Sequence, residues 1–372
     1  MEADRGDVML VGSVAIPEDE LDAAGVLGLC GPKLGGHVSM LPDGEVGDRY
    51  YWINYIARNV YYSHPDLVTL SRHTYENWKP DPAFGLQDHW KFALRDGITE
   101  LRFDKLGYAD EAKKSYEAFT RLREAGEIAP GTRFQIALPA PESGTRPFVD
   151  TAHSFEILFD AYVDVVGREI DDICAAIPHE DLAIQWDICL ETASIEGFPF
   201  GFAEAELTRH DQNPLTRTAN IVAELSTRIP EPVWLGLHLC YGSLGQAEGG
   251  AMDGAHFKEI EDLNVCVDIA NSCVGAMDRS VQFIHMPVQV SRGFDDAYYA
   301  PLKRLAVGDA RIYLGLIDMV DGIAGARRRI EIARNSLSDF GIATQCGWGR
   351  RPASYQLYDI LDLHVEAVAA MS

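Results

Sequence analysis

Eight short apolar runs, separated by longer amphipathic segments, constrain this 372-residue chain more than any other feature. They are VMLVGSV from Val8, ELRFD from Glu100, RFQIALP from Arg133 and DLAIQWDIC from Asp181. VWLGLHLC from Val233, VQFIHMP from Val281, RIYLGLID from Arg311 and GIATQC from Gly341 follow. A near-continuous apolar strand needs cover on both faces, which a parallel sheet with helical crossovers provides. Eight strands alternating with helices predict an α/β fold, a TIM (β/α)8 barrel. No repeat, low-complexity tract or linker divides the chain, so residues 1–372 read as one barrel domain.

The intervening segments predict the helices. Residues 110–125 open with acids, close with bases and stop at Gly126, as capping and the macrodipole prefer. Residues 323–337 predict another helix, with Arg327, Arg328 and Arg329 on a solvated face. Residues 257–277 contain VCVDIA, which could pass for a strand, but Ile260, Leu263, Val267, Ala270 and Val274 keep helical spacing. Reading them as helix makes VQFIHMP the sixth strand. Residues 15–95, rich in Gly, Pro and aromatics, are too long for one crossover and predict a long N-terminal insertion before the second strand. Residues 192–215 predict a polar loop.

Charge narrows the partners. With 57 acidic residues against 32 Lys plus Arg the net charge is −25, which disfavours nucleic acid and anionic membranes. No run reaches the ~18 apolar residues of a membrane helix. The opening MEADRGDVML is acidic and predicts no secretory signal. Seven scattered cysteines favour reduced thiols in the cytoplasm over a disulfide framework. Cys174, Cys266 and Cys273 fall in helical stretches and read as core. A homo-oligomer is compatible with the composition.

Barrel enzymes place their chemistry at the C-terminal strand ends. Here those ends carry Gly12-Ser13, Asp187 to Glu191, His238-Leu239-Cys240, His285-Met286-Pro287, Asp318 and Cys346-Gly347. On a strand, residues i and i+2 share a side, so His238 and Cys240 project together. Cys346 closes the eighth strand at the same end. One imidazole and two thiolates suit Zn2+ and leave a fourth position open, as catalytic sites do. The alternative is a core histidine with two filler cysteines. A thiol entering such a site would lose its proton and become a nucleophile, which is the chemistry of S-alkylation.

VGSV, QWDICLE, HLCYG, FIHMPV, LGLID and ATQCGWGR, taken together, resemble the catalytic barrel of cobalamin-independent methionine synthase. The wider superfamily includes uroporphyrinogen decarboxylase and the zinc methyltransferases and epoxyalkane transferases that use coenzyme M. The resemblance implies a zinc-dependent alkyl or methyl transfer to a thiol, with His238, Cys240 and Cys346 as metal ligands. It implies that Ser13 touches substrate and that Asp187 binds an ammonium. The family's glutamate ligand on the sixth strand falls on His285, which is therefore either a fourth ligand or a partner behind the ligands. Asp318 would accept a proton or orient a ligand. The chain is too short for a second barrel, it lacks the folate-binding signature, and its acidic surface suits a polyglutamate tail poorly. The expected partners are a small thiol and an alkyl donor.

Further substrate contacts are expected from the insertion and the loops. Leu41 to Glu45 is a turn signal, and Asp43, Glu45 and Arg49 either fold over the mouth or decorate the surface. Tyr108, Glu191, Arg350 and Arg351 complete the candidates. A metal-assisted lyase or hydrolase in the same mouth is the alternative function. An amidohydrolase arrangement would need an HxH motif, and the chain contains none.

Overall fold

The computed structural model describes residues 6–72, 90–198, 201–242, 258–351 and 354–371. Seven parallel strands lie side by side: β1 (Met40–Pro42), β4 (Arg133–Pro139), β5 (Leu182–Ile188), β6 (Trp234–Leu239), β7 (Phe283–Pro287), β8 (Arg311–Ile317) and β9 (Gly341–Thr344). Residues 8–13 occupy the eighth position. Val8 bridges Ile342 on one edge and Val38, just before β1, on the other, which closes the sheet into a barrel. Two further strands, β2 (Leu67–Ser71) and β3 (Lys91–Leu94), form a separate antiparallel pair.

The alternation along each strand sets the layers of the barrel interior. Met9, Val11, Met40, Ala183, Phe283, Tyr313 and Ala343 form one buried apolar cluster. Gly236 takes no part because there is no room for it to: a Cβ there would sit 2.0 Å from the Phe283 ring. Two residues further along come Gln135 and Gln185, whose side-chain amides bond each other and the Val11 carbonyl. Above them Asp187, two residues past Gln185, stands beside His238, two past Gly236, and His285, two past Phe283. The layers thus run from apolar at the bottom to ionisable at the top.

Seven of the eight expected strands are present, and the sixth is the expected one because residues 264–276 are helical (Asn264–Ala276). The second is not ELRFD. Leu101 and Phe103 are buried, but their segment has no strand neighbours. Its backbone is bonded by side chains of the helix Ala152–Ala176 instead. Arg168 donates to the Phe103 and Asp104 carbonyls, and Glu169 accepts from the amides of Leu106, Gly107 and Ala109. The second strand is the three-residue β1, too short to show a pattern. The insertion accordingly follows this strand rather than preceding it, and residues 15–39 are an ordinary crossover with the helix Ala23–Leu34. Placed after β1, the insertion starts at the C-terminal face, where Gly44 bridges Ser13.

One helix face also differs from expectation. Arg327 and Arg328 are exposed, but Arg329 is fully buried. Its guanidinium grips Asp321 through two bonds, at 2.6 and 2.8 Å, and donates to the Leu316 carbonyl. All seven cysteines are free thiols. Among the described residues no helix is long and apolar enough to cross a membrane.

Candidate metal centre

Parallel register brings the polar strand ends together. Asp187 of β5 pairs with His238 of β6, and His238 pairs with His285 of β7. Cys240 follows β6, its amide held at 2.8 Å by the Ile188 carbonyl, and Cys346 follows β9. The ligand atoms of His238, Cys240 and Cys346 all lie within 4.8 Å of one another. Cys240 Sγ is 3.8 Å from Cys346 Sγ, which is 3.8 Å from His238 Nε2. A tetrahedral ion with Zn–S bonds of ~2.3 Å has ligand-to-ligand edges of about 3.5–3.8 Å. Both edges at Cys346 match that spacing, and the donors present, soft and borderline, suit that ion in type.

The electrostatics fit a cation as well. Beside the Cys189 thiol, and with burial adding to it, the Cys240 thiol is pushed well above its usual range. The Cys240 thiol and burial do the same to Cys346. Burial lowers the pKa of His238, so its imidazole is neutral, the form that binds metals. His285 is neutral too, its pKa lowered by burial to about 4. It stands behind His238: its Nδ1 lies 2.8 Å from His238 Nδ1, and its Nε2 2.9 Å from the Thr344 carbonyl. It does not join the three-residue cluster, because both its ring nitrogens are already engaged.

A second group of residues gathers beside this cluster. Burial and the nearby Glu45 carboxylate push the Asp187 carboxyl well above its usual range, against the hydrogen bond from the Gln185 amide at 2.8 Å. Glu45 lies over Gly12, where a Cβ would come 2.9 Å from its carboxylate. It holds a left-handed backbone with φ 51°, as does Trp52 with φ 52°; strain of this kind gathers at functional sites. Asp43 is an anchor for this loop. It takes both Arg49 guanidinium nitrogens, at 3.1 and 2.7 Å, the Ser115 hydroxyl at 2.5 Å and the Glu45 amide at 3.0 Å. Burial raises its pKa, but the Arg49 charge and these bonds prevail and hold it below the usual range. Tyr108 joins Gly12, Asp43, Glu45 and Arg49 in lining a narrow crevice.

Ser13 is buried under the loop that follows Cys346. Gly347 has to be glycine there, since a Cβ would meet the Ser13 hydroxyl at 2.2 Å. Asp318 is buried, and its carboxylate accepts from the Val320 amide at 2.9 Å, a turn contact next to β8. Glu191 faces inward: it accepts from the Ser143 amide and hydroxyl and from the Cys189 amide. Arg351 is buried and bonded to the Val14 and Tyr355 carbonyls, so it ties the chain together rather than awaiting an anion. The Arg350 side chain lies outside the described residues.

Glu191 makes a pH prediction. Burial and the nearby Glu142 raise its pKa to about 7, against an ordinary 4.5. A raised carboxyl favours the folded state below the unfolded pKa, and that contribution is lost as pH rises through the folded one. Stability should therefore fall between about pH 4.5 and 7, by roughly 3 kcal/mol from this group. Denaturant titrations across that range should show a flatter profile for Glu191→Gln; an identical slope would remove Glu191 as the cause.

Three neighbours of the site were missed from sequence. Cys189 fell within the expected strand end Asp187 to Glu191 without a role, yet its thiol faces Cys240; its place directly after β5 was the available signal. Gln135 and Gln185 sit mid-strand in apolar runs. A buried amide there needs partners and so signals an interior network.

No family model matches the chain, and no curated protein does. Among the solved structures that share its fold are two methionine-synthase structures. One is a B12-independent methionine synthase from Shewanella sp. W3-18-1 in complex with selenomethionine. It has TM-score 0.53 and 11% identity, over 99% of this chain and 95% of that one. The other, from Listeria monocytogenes, is named a putative vitamin B12-independent methionine synthase. It has TM-score 0.52 and 15% identity, over 97% and 96% of the two chains. At such identities the likeness is one of fold, here an α/β barrel spanning nearly the whole of each chain.

Proposed function

We propose that this protein is a zinc-dependent transferase that moves an alkyl group, most simply methyl, onto a small thiol. The observation that carries the reading is the convergence of His238, Cys240 and Cys346 within 4.8 Å of one another in the barrel mouth. Zinc held there would supply a position at which an entering thiol gives up its proton and becomes nucleophilic at neutral pH. The names of the two fold neighbours point the same way.

The chain's own residues supply the rest. Asp187 and Glu45 form an acidic pair that raises the Asp187 pKa, so a cationic substrate group such as an ammonium would relieve their repulsion. Asp43 and Arg49 hold the Glu45 loop in place, and Gly12 and Tyr108 border the same space. The scattered free thiols suit a reducing cytoplasm.

The test is X-ray absorption on zinc-loaded protein across a panel of saturating low-molecular-weight thiols. One thiol should add one sulfur neighbour at about 2.3 Å, releasing about one proton below its own pKa of ~8.5. Unchanged sulfur coordination throughout would discard thiol alkylation in favour of a metal-assisted lyase or hydrolase.

A further inference from the structure

The hydrogen bonds around His285 determine where the protons of two buried imidazoles sit. A backbone carbonyl only accepts, so the 2.9 Å contact with Thr344 places a proton on His285 Nε2. In the neutral ring the other nitrogen, Nδ1, is then a bare acceptor. His238 Nδ1, 2.8 Å away, must donate to it. That leaves His238 Nε2 as a lone pair, and Nε2 is the atom directed at Cys346 Sγ, 3.8 Å distant. The chain of contacts closes on the same strand: Thr344 ends β9, and its hydroxyl donates to the Cys346 carbonyl at 2.7 Å.

We infer that His285 is a positioning residue that takes no place at the metal and locks His238 in the tautomer presenting Nε2 to it. The inference rests on the reading of His238, Cys240 and Cys346 as metal ligands. It adds that three protein ligands complete the set, so an incoming thiol has no protein group to displace. Outer partners of this kind fix ring orientation and raise ligand basicity.

Two substitutions separate positioning from ligation. In His285→Gln the side-chain oxygen can accept from His238 Nδ1 while the amide donates to Thr344; His285→Leu can do neither. Zinc affinity of the full chain, measured by chelator competition, should fall about 10–100-fold in the Leu variant and stay close to wild type in the Gln variant. A ligand role would instead weaken both alike, since an amide is a poor zinc ligand, and that result would overturn the inference. Should the Leu variant not fold, NMR of 15N-histidine-labelled wild type gives the same answer. The expected pattern is His238 protonated at Nδ1 and His285 at Nε2, and the reverse pattern would refute it. The ring pattern is readable with or without zinc. Wild type that takes up no zinc would therefore reject the metal reading while the proton arrangement is judged separately.

Discussion

Under the proposed function, serine in place of Cys346 is expected to abolish zinc binding and thiol alkylation while the fold survives. A serine hydroxyl is a hard, weakly acidic donor and replaces a thiolate poorly at a soft site. Loss of a direct ligand should weaken binding by more than the roughly 10–100-fold attached to an outer partner. The fold has little at stake, because Cys346 is only partly buried and lies just beyond β9, outside the apolar cluster that fills the barrel. Metal analysis after dialysis, alongside a denaturant titration of the metal-free forms, reads both consequences. Full zinc retention in Cys346→Ser would remove Cys346 from the centre and leave only two of the three donors.

The largest effect on stability is expected at Glu142, in the short helix Pro141–Thr145 that follows β4. Its carboxylate is 1% exposed. It accepts from Arg146 at 3.1 Å, from Arg217 Nε at 2.8 Å and from the Ser194 hydroxyl at 2.7 Å. Both arginines are buried as deeply and share a second acid, Glu204. Glu142→Ala would leave two buried guanidinium groups with one partly exposed carboxylate, a loss of about 3–5 kcal/mol by comparison with broken buried pairs. The exposed pair between Lys114 and Glu111 offers the contrast, since such pairs contribute about 0–1 kcal/mol. Urea unfolding of Glu142→Ala and Glu111→Ala in parallel checks the difference. Equal midpoints would mean that the buried network relaxes or admits water once the carboxylate is gone.

How much of this was legible depends on how local the cause is. β5 could be read directly, because all seven of its residues are buried and a strand covered on both faces is apolar nearly end to end. The His238–Cys240 pair was legible for a similar reason: period-two alternation puts both on one side whatever surrounds the strand. Cys346 could be matched to them only through barrel topology, which brings the ends of distant strands to one face. β1 was invisible because three residues carry no periodicity. Its identity comes from hydrogen bonds to neighbours, with Met40 set against Arg133, and ELRFD imitated a strand while side chains satisfied its backbone.

The sequence by itself determined the barrel class, the sign of the surface charge and the residue types gathered at the mouth, because each follows from pattern or composition along the chain. Only the tertiary structure decided what each polar residue does there. Asp43 and Arg49 neutralise each other in anchoring a loop, Glu191 and Arg351 bond within the protein, and His285 meets His238 rather than joining the cluster. The physical reason is that a charged or hydrogen-bonding side chain is defined by its partners. Those partners lie 47 residues apart for His285 and His238, 48 for Glu191 and Ser143, and 337 for Arg351 and Val14, beyond the reach of any local pattern.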